Sequence, residues 1–409
     1  MARLSQKPGH YLQRDQYATR AETINALLER WNLTPDTELL PLNHAEGRVS
    51  AEDVYSCNTL PVCRAAGGDG VAVRFADFEK GVPDFSDWKE NVDYAPADMG
   101  DDFDDTFDTV LWIEEFTFDE NGKILAIEPE EPVKKGQLVR PQGATLKKEE
   151  QVLKKGDMIT PFRLGLLAAA GIQEVKVVRQ PKIAYIPTGS ELISPGQIPA
   201  RGQNIESNGL MISAFCRRWG AEAVCMPIVA DQKAWLETAL NKALETADIV
   251  LLNGGSSMGT EDYTSTLLEN RADYFQHGVR CIPGIPVAVA VVDGKPVINL
   301  PGPPYAAFCA LDWCARALVY HWYGQPLPQR RRVKAVLEQP IQKPEPHEMY
   351  VRIELQKDGE KGFTAAPMPM EVRFAQAAER WNGLFIAPIG RSKWEAGSEI
   401  DVELLYTDC

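Results

Sequence analysis

Three short runs of small residues constrain this chain more than any other feature. They are Pro187-Thr188-Gly189-Ser190-Glu191, Gly254-Gly255-Ser256-Ser257-Met258-Gly259 and Pro301-Gly302-Pro303-Pro304. Each follows an apolar run of strand character: Ile183-Ala184-Tyr185-Ile186, Ile249-Val250-Leu251-Leu252 and Val297-Ile298-Asn299-Leu300. In an open parallel sheet, ligands bind outside the carboxyl ends of the strands. Three such loops therefore point to one site where backbone can approach an anionic ligand. Gly254 and Gly255 lack Cβ bulk. Ser256, Ser257 and the surrounding N–H groups could donate to phosphate or carboxylate oxygens. A tight turn accounts for the same glycines equally well. The run is not a P-loop, because no Gly-Lys-Ser/Thr follows, and it is not G-x-G-x-x-G.

The flanking sequence alternates. A strand at 182–187, a helix at about 208–219, a strand at 223–229, a helix at about 232–246 and a strand at 248–253 are expected. Val287–Val292 and Lys295–Leu300 flank Asp293-Gly294, a hairpin signal. A helix is expected from about 304 to 323. Such alternation implies a doubly wound sheet covered by helices on both faces. An amphipathic helix is expected over 16–31, and an apolar one over Phe162–Ala170, ended by Gly171. Residues 58–140 and 333–408 read as β-rich, with Pro326 and Pro328 as a stiff linker before the second tract. The fold class is therefore multidomain, α/β and β. It joins a doubly wound α/β domain to a helical or mixed domain, a small inserted β-rich lobe and a C-terminal β domain.

Charge narrows the function. The net charge is −15, and residues 77–131 alone carry 19 acidic and 3 basic side chains. That distribution argues against nucleic acid, whose phosphates need Lys and Arg. The acidic tract reads as a solvated insertion, or as a surface that orients a mobile lobe or docks a basic partner. No apolar run approaches the roughly 18–20 residues that span a bilayer. Met1–Gln16 lacks a signal-peptide core, so a cytoplasmic protein is expected. The 8 cysteines include no C-x-x-C pair, and His347-Glu348 is not followed by the second His of a zincin helix.

Three carboxylates stand near the loops. Asp231 and Asp262 each precede an expected helix and suit an N-cap. Glu191 suits a solvated turn. The alternative is that all three converge at the sheet edge and hold Mg²⁺ through oxygen ligands. Pro301-Gly302-Pro303-Pro304 is sufficiently explained as a helix start, with Pro304 in the first turn.

In order and spacing, these loops resemble the molybdopterin molybdenumtransferase family, which includes the C-terminal domain of gephyrin. The residues that carry the resemblance are Thr188-Gly189-Ser190-Glu191-Leu192, Glu206-Ser207-Asn208, Asp231-Gln232, Gly254 through Tyr263, and Leu300-Pro301-Gly302-Pro303-Pro304. Gly47 through Val54 and Asp69-Gly70-Val71-Ala72-Val73-Arg74 match the family's approach to its second domain. The resemblance implies four domains: I at 1–57 plus 141–177, II at 58–140, III at 178–326 and IV at 327–409. It implies a homodimer whose active site lies between domain III of one subunit and domain II of the other. The implied substrates are adenylated molybdopterin and molybdate, with Mg²⁺ as cofactor. Glu191, Asp231 and Asp262 would hold the metal and act in catalysis, and Asp69 would join them from domain II. Thr188, Gly189, Ser190, Asn208, Gly254, Gly255, Ser256, Ser257, Gly259, Pro301, Gly302 and Pro304 would hold pterin and phosphate.

The departures from the family share one direction. The family's Lys-Pro-Gly-Lys-Pro is Ile282-Pro283-Gly284-Ile285-Pro286 here, which removes two ammonium groups. The family's Gly-Glu-Asp motif aligns loosely with Gly143-Ala144-Thr145, and the tyrosine of its Asp-Gly-Tyr is Val71. Removing anion-binding donors weakens oxyanion handling. The alternative expectation is therefore a non-catalytic paralogue that holds molybdopterin or finished cofactor for a client enzyme.

Overall fold

The computed structural model describes residues 17–255, 263–359 and 362–405. The chain forms two compact units. One takes the chain up to Asp36 and from Arg179 onward, and the other is Thr37–Val178.

The first unit opens with α1 (Arg20–Arg30). A capping box starts it: Thr19 Oγ1 accepts from Glu22 N at 3.2 Å, and Glu22 Oε2 accepts from Thr19 N at 2.8 Å. The α/β domain then runs β1 (Lys182–Pro187), α2 (Asn208–Arg218), β2 (Glu222–Cys225), α3 (Lys233–Thr246), β3 (Ile249–Asn253), α4 (Tyr263–Arg271) and β4 (Tyr274–His277). It continues with β5 (Cys281–Ile282), β6 (Ala288–Val292), β7 (Lys295–Leu300) and α5 (Pro304–Ala310). The 6-stranded sheet has the order β2-β1-β3-β7-β6-β4. Its first four strands are parallel, and β6 and β4 add antiparallel pairs. The β6–β7 hairpin turns at Asp293 (φ 51°) and Gly294 (φ 74°), the left-handed pair a two-residue turn requires.

Side-chain alternation divides the core. Ala184, Ile186, Val250 and Leu252 pack with Leu236, Leu240 and Leu244 of α3 and Leu268 of α4. Tyr185 points the other way, against α2 near Gly209. On that face, Phe215 of α2 meets Phe308 of α5 with ring centroids 5.2 Å apart. Strand register then fixes the site. Pro187 pairs with Asn253, and Asn253 pairs with Leu300. Neighbouring strands lie about 4.8 Å apart, so the three loops leave the sheet within about 10 Å of one another.

Two elements depart from their expected lengths. β2 stops at Cys225, because Pro227 cannot donate to a ladder. The helix expected over 304–323 carries a π turn at Leu311–Ala315 before it resumes as α6 (Arg316–Trp322). Asp312 lies in that turn, buried, and pairs with Arg330 at 3.1 Å. A turn widened at this point keeps a charged side chain within a helix otherwise packed into the core.

The C-terminal part is a closed barrel. Its strands are β8 (Arg332–Leu337), β9 (Glu348–Asp358), β10 (Gly362–Pro367), β11 (Gly383–Ala387) and β12 (Glu399–Leu404). The order β9-β10-β8-β12-β11 closes through a β11–β9 pairing. Its interior holds Leu337, Val351, Ile353, Phe385, Trp394, Ile400 and Val402. β5 of the α/β domain adds to the barrel, pairing Cys281 with Glu348 and Ile282 with Met349. Arg20 of α1 grips the same strand: Nε and Nη2 donate to Glu348 at 2.6 and 2.7 Å, and Nη1 donates to the Tyr350 hydroxyl at 2.5 Å.

In the second unit, Thr37–Pro41 pairs antiparallel with Glu174–Val178. The helix Pro161–Ala169 is capped by Thr160, and Gly171 (φ 83°) follows it. A three-stranded sheet places Gly70–Val73 between Tyr94–Ala97 and Thr109–Trp112. Tyr94–Ala97 carries Pro96 on the sheet edge, where a missing donor is tolerated. Among the described residues, no helix is long and apolar enough to cross a membrane.

Candidate functional site

The site is built where β1, β3 and β7 end. The first loop is held by backbone: Thr188 N donates to Asn253 O at 2.9 Å, and Gly189 N donates to Val229 O at 3.0 Å. Ser190 and Asp231 then lock two loops reciprocally. Ser190 N donates to Asp231 Oδ2 at 3.1 Å, and Asp231 N donates to Ser190 Oγ at 3.2 Å. Asp231 is therefore not the N-cap of α3; that place belongs to Gln232, whose side chain makes no capping bond. The Glu191 carboxylate curls back over Gly189, 2.7 Å from where a Cβ there would lie.

Gly254 has φ 123°, and a Cβ there would stand 2.3 Å from Thr188 O. Only glycine lets the second loop lie this close to the first. Its N–H donates to Leu300 O at 3.3 Å. Gly255 O accepts from Asn299 Nδ2 at 3.5 Å. In the third loop, Pro301 is buried, Gly302 is exposed, and Pro304 sits in the first turn of α5.

A buried polar network lies beneath the loops. Asn208 Nδ2 donates to Asn253 Oδ1 at 2.7 Å and to Gly302 O at 2.8 Å. Asn253 Nδ2 donates to Pro301 O at 2.7 Å. The Tyr185 hydroxyl lies 2.9 Å from Glu206 Oε1 and 2.7 Å from Asn253 Oδ1. Burial, then the nearby Glu206 carboxylate, pushes the Tyr185 hydroxyl pKa far up, so it stays protonated. Glu206 Oε1 also accepts from Gly209 N at 2.9 Å. That places a carboxylate at the positive end of α2, a favourable position.

The structure thus gathers Thr188, Gly189, Ser190, Glu191, Asn208, Asp231, Gly254, Gly255, Pro301, Gly302 and Pro304 at one sheet edge. Ser256, Ser257, Gly259 and Asp262 lie outside the described residues. Asp69 belongs to the second unit, exposed, with Oδ1 accepting from Met99 N at 2.7 Å. Among the described residues, no group of three or more His, Cys, Asp or Glu is placed to hold a metal ion. Ile282 and Ile285 are half-buried; Ile282 pairs with Met349 of the barrel, and Ile285 O accepts from Val279 N at 3.0 Å. Sequence reasoning missed Tyr185 and Asn253 as site residues. The available signal was polarity: each interrupts or ends a strand that is otherwise apolar.

Comparison with known proteins adds a second line of observation. Residues 18–171 match the family described as the MoeA N-terminal region (domain I and II), and residues 184–321 match the probable molybdopterin binding domain. A protein of Haemophilus influenzae named molybdopterin molybdenumtransferase is 29% identical over 321 residues, 75% of this chain and 78% of that one. Molybdopterin molybdenumtransferase 2 of Mycobacterium tuberculosis is 28% identical over 385 residues, 89% of this chain and 94% of that one. The crystal structure of a molybdopterin biosynthesis MoeA protein from Pyrococcus horikoshii superposes with a TM-score of 0.76 at 26% identity. The superposition covers 95% of this chain and 99% of that one.

Proposed function

The chain belongs to the molybdopterin molybdenumtransferase family, and we propose that it hydrolyses adenylated molybdopterin with Mg²⁺ and delivers molybdate to the pterin dithiolene. It is an enzyme of molybdenum cofactor biosynthesis. The observation that carries the finer reading is the Ser190–Asp231 lock beside Glu191, on the row where three strands end.

The donor chemistry fits Mg²⁺. That ion takes oxygen ligands, commonly one or two carboxylates together with substrate phosphates. Asp231 gives Oδ2 to the Ser190 N–H, and we assign Oδ1 and the Glu191 carboxylate to the metal. Held by these two carboxylates, Mg²⁺ would supply charge neutralisation and polarisation of the phosphoryl group. Gly254, where a Cβ would meet Thr188, lets the second loop start directly against the first. The exposed Ser190 hydroxyl, whose oxygen accepts from Asp231 N, keeps its proton for a phosphate oxygen. Ile282 and Ile285 supply no charge to the oxyanion end, so molybdate handling falls to N–H and hydroxyl donors. We further propose that Asp69 reaches this site from a second copy of the chain, in a homodimer.

The test uses pure protein with Mg²⁺, adenylated molybdopterin and molybdate, with AMP release followed by chromatography. AMP should appear with the native chain and fall to background with Glu191→Gln. Equal AMP from both proteins would remove Glu191 from the mechanism. Pterin retained without any AMP would assign the chain to holding cofactor for a client molybdoenzyme.

A further inference from the structure

Asn253 reaches both neighbouring strand ends at this site, one through its main chain and the other through its side chain. Asn253 is the last residue of β3 and is 5% exposed. Its main-chain oxygen accepts from Thr188 N at 2.9 Å and from Thr188 Oγ1 at 3.3 Å, in the first loop. Its side-chain nitrogen donates to Pro301 O at 2.7 Å and Leu300 O at 3.3 Å, in the third. Its side-chain oxygen accepts from Asn208 Nδ2 at 2.7 Å and faces the Tyr185 hydroxyl at 2.7 Å. Asn208 then reaches Gly302 O at 2.8 Å. The second loop begins at the next residue, Gly254.

We propose that Asn253 is a positioning residue for the molybdenumtransferase reaction: its side chain holds the third loop and the start of α2 at Asn208 in the register that receives the pterin nucleotide. The proposal rests on the function assigned above. The chemistry demands a primary amide here. Donors approach from the Tyr185 and Asn208 side, and carbonyl oxygens wait on the Pro301 side. An amide presents an acceptor in one direction and two N–H groups in the other. Aspartate has the same shape but would set a carboxylate oxygen against the Pro301 and Leu300 carbonyls. Because the site is buried, water cannot take over a lost bond, and each broken contact is felt in full. Tyr185 completes the device. Its single proton has two acceptors within reach, Asn253 Oδ1 and Glu206 Oε1, so the hydroxyl ties the sheet to the start of α2.

Asn253→Asp tests this, with Tyr185→Phe as a milder second variant that keeps the ring packing. Two readouts are compared with the native chain. In the free protein, amide exchange at Gly209 and Ala307, whose bonded N–H groups flank Asn208 and the third loop, should rise together by about tenfold. Exchange at Val250 and Leu251, in mid-strand, should not change. In the enzyme assay, the KM for adenylated molybdopterin should rise by about tenfold, with kcat within twofold. A merely structural residue would lower the active fraction and leave KM alone. Folded variants with native exchange at both amides, or with native KM, overturn the proposal. If Asn253→Asp does not fold, Tyr185→Phe decides it by the same readouts. If the native chain releases no AMP, the function assignment fails, and the exchange data still decide whether Asn253 holds the third loop and the start of α2.

Discussion

Gly254 and Gly302 lie in two of the three loops, and replacing each with alanine should give opposite results. At Gly254, the new Cβ would stand 2.3 Å from Thr188 O and 2.6 Å from Thr188 Oγ1. The nearest atom is main-chain oxygen, so no rotamer change relieves the contact. Overpacking of this kind costs about 1–3 kcal/mol. Holding alanine at a φ of 123° adds about 1–3 kcal/mol. The sum, about 2–6 kcal/mol, is large beside the stability of one domain. With a urea slope of roughly 2 kcal/mol per molar, the midpoint for the first unit should fall by about 1–3 M. At Gly302, a Cβ meets nothing within 4 Å. Gly302→Ala should leave the unfolding free energy within about 0.5 kcal/mol of native. If the nucleotide packs on that loop, it should nonetheless bind more weakly. Urea unfolding followed by circular dichroism measures the first effect, and equilibrium binding of adenylated molybdopterin measures the second. A Gly254→Ala protein with a native midpoint would refute the geometric reasoning outright.

Other outcomes follow from the same structure. Arg20→Ala should cost about 2–3 kcal/mol in thermal unfolding, because it strands Glu348 after removing two charged bonds of 2.6 and 2.7 Å; an unchanged Tm refutes this. In the second unit, the Lys123 and Asn121 N–H groups hold the Asp119 carboxyl below its usual range. Its folded pKa is thus lower than its unfolded value of about 3.9, so the stability it adds is present above that pH and is lost as pH falls through the folded value. Asp119→Asn should flatten the acid limb of a pH-unfolding curve below about pH 4, and an unaltered limb would remove the carboxylate from the account.

What the sequence disclosed follows from how each element is stabilised. β1, β3 and β7 are buried on both faces, so they read as mainly apolar runs, and their ends marked the loops. Asp293-Gly294 announced its hairpin because two residues of positive φ have few sequence solutions. Tyr94–Ala97 stayed hidden within an acidic tract, and its Pro96 reads as a breaker unless the edge position is known. Phe374–Arg380 is too short a helix to establish a period inside a β-rich stretch. The buried network was illegible for a different reason. Tyr185 and Asn253 are 68 positions apart and Asn208 and Gly302 are 94 apart, so only sheet register brings them together.

The division of the chain also has a consequence in time. Arg20 finds Glu348 across 328 positions of sequence. At roughly 5–20 residues per second, a ribosome makes the partner some 16–65 seconds after the arginine. During that wait, Thr37–Val178 is complete and can fold as its own unit. The α1 helix, short and half apolar, must meanwhile stay solvent-tolerant, a task its capping box and charged face suit. The grip of Arg20 on β9 can therefore close only once β9 has been made, long after the helix that carries it.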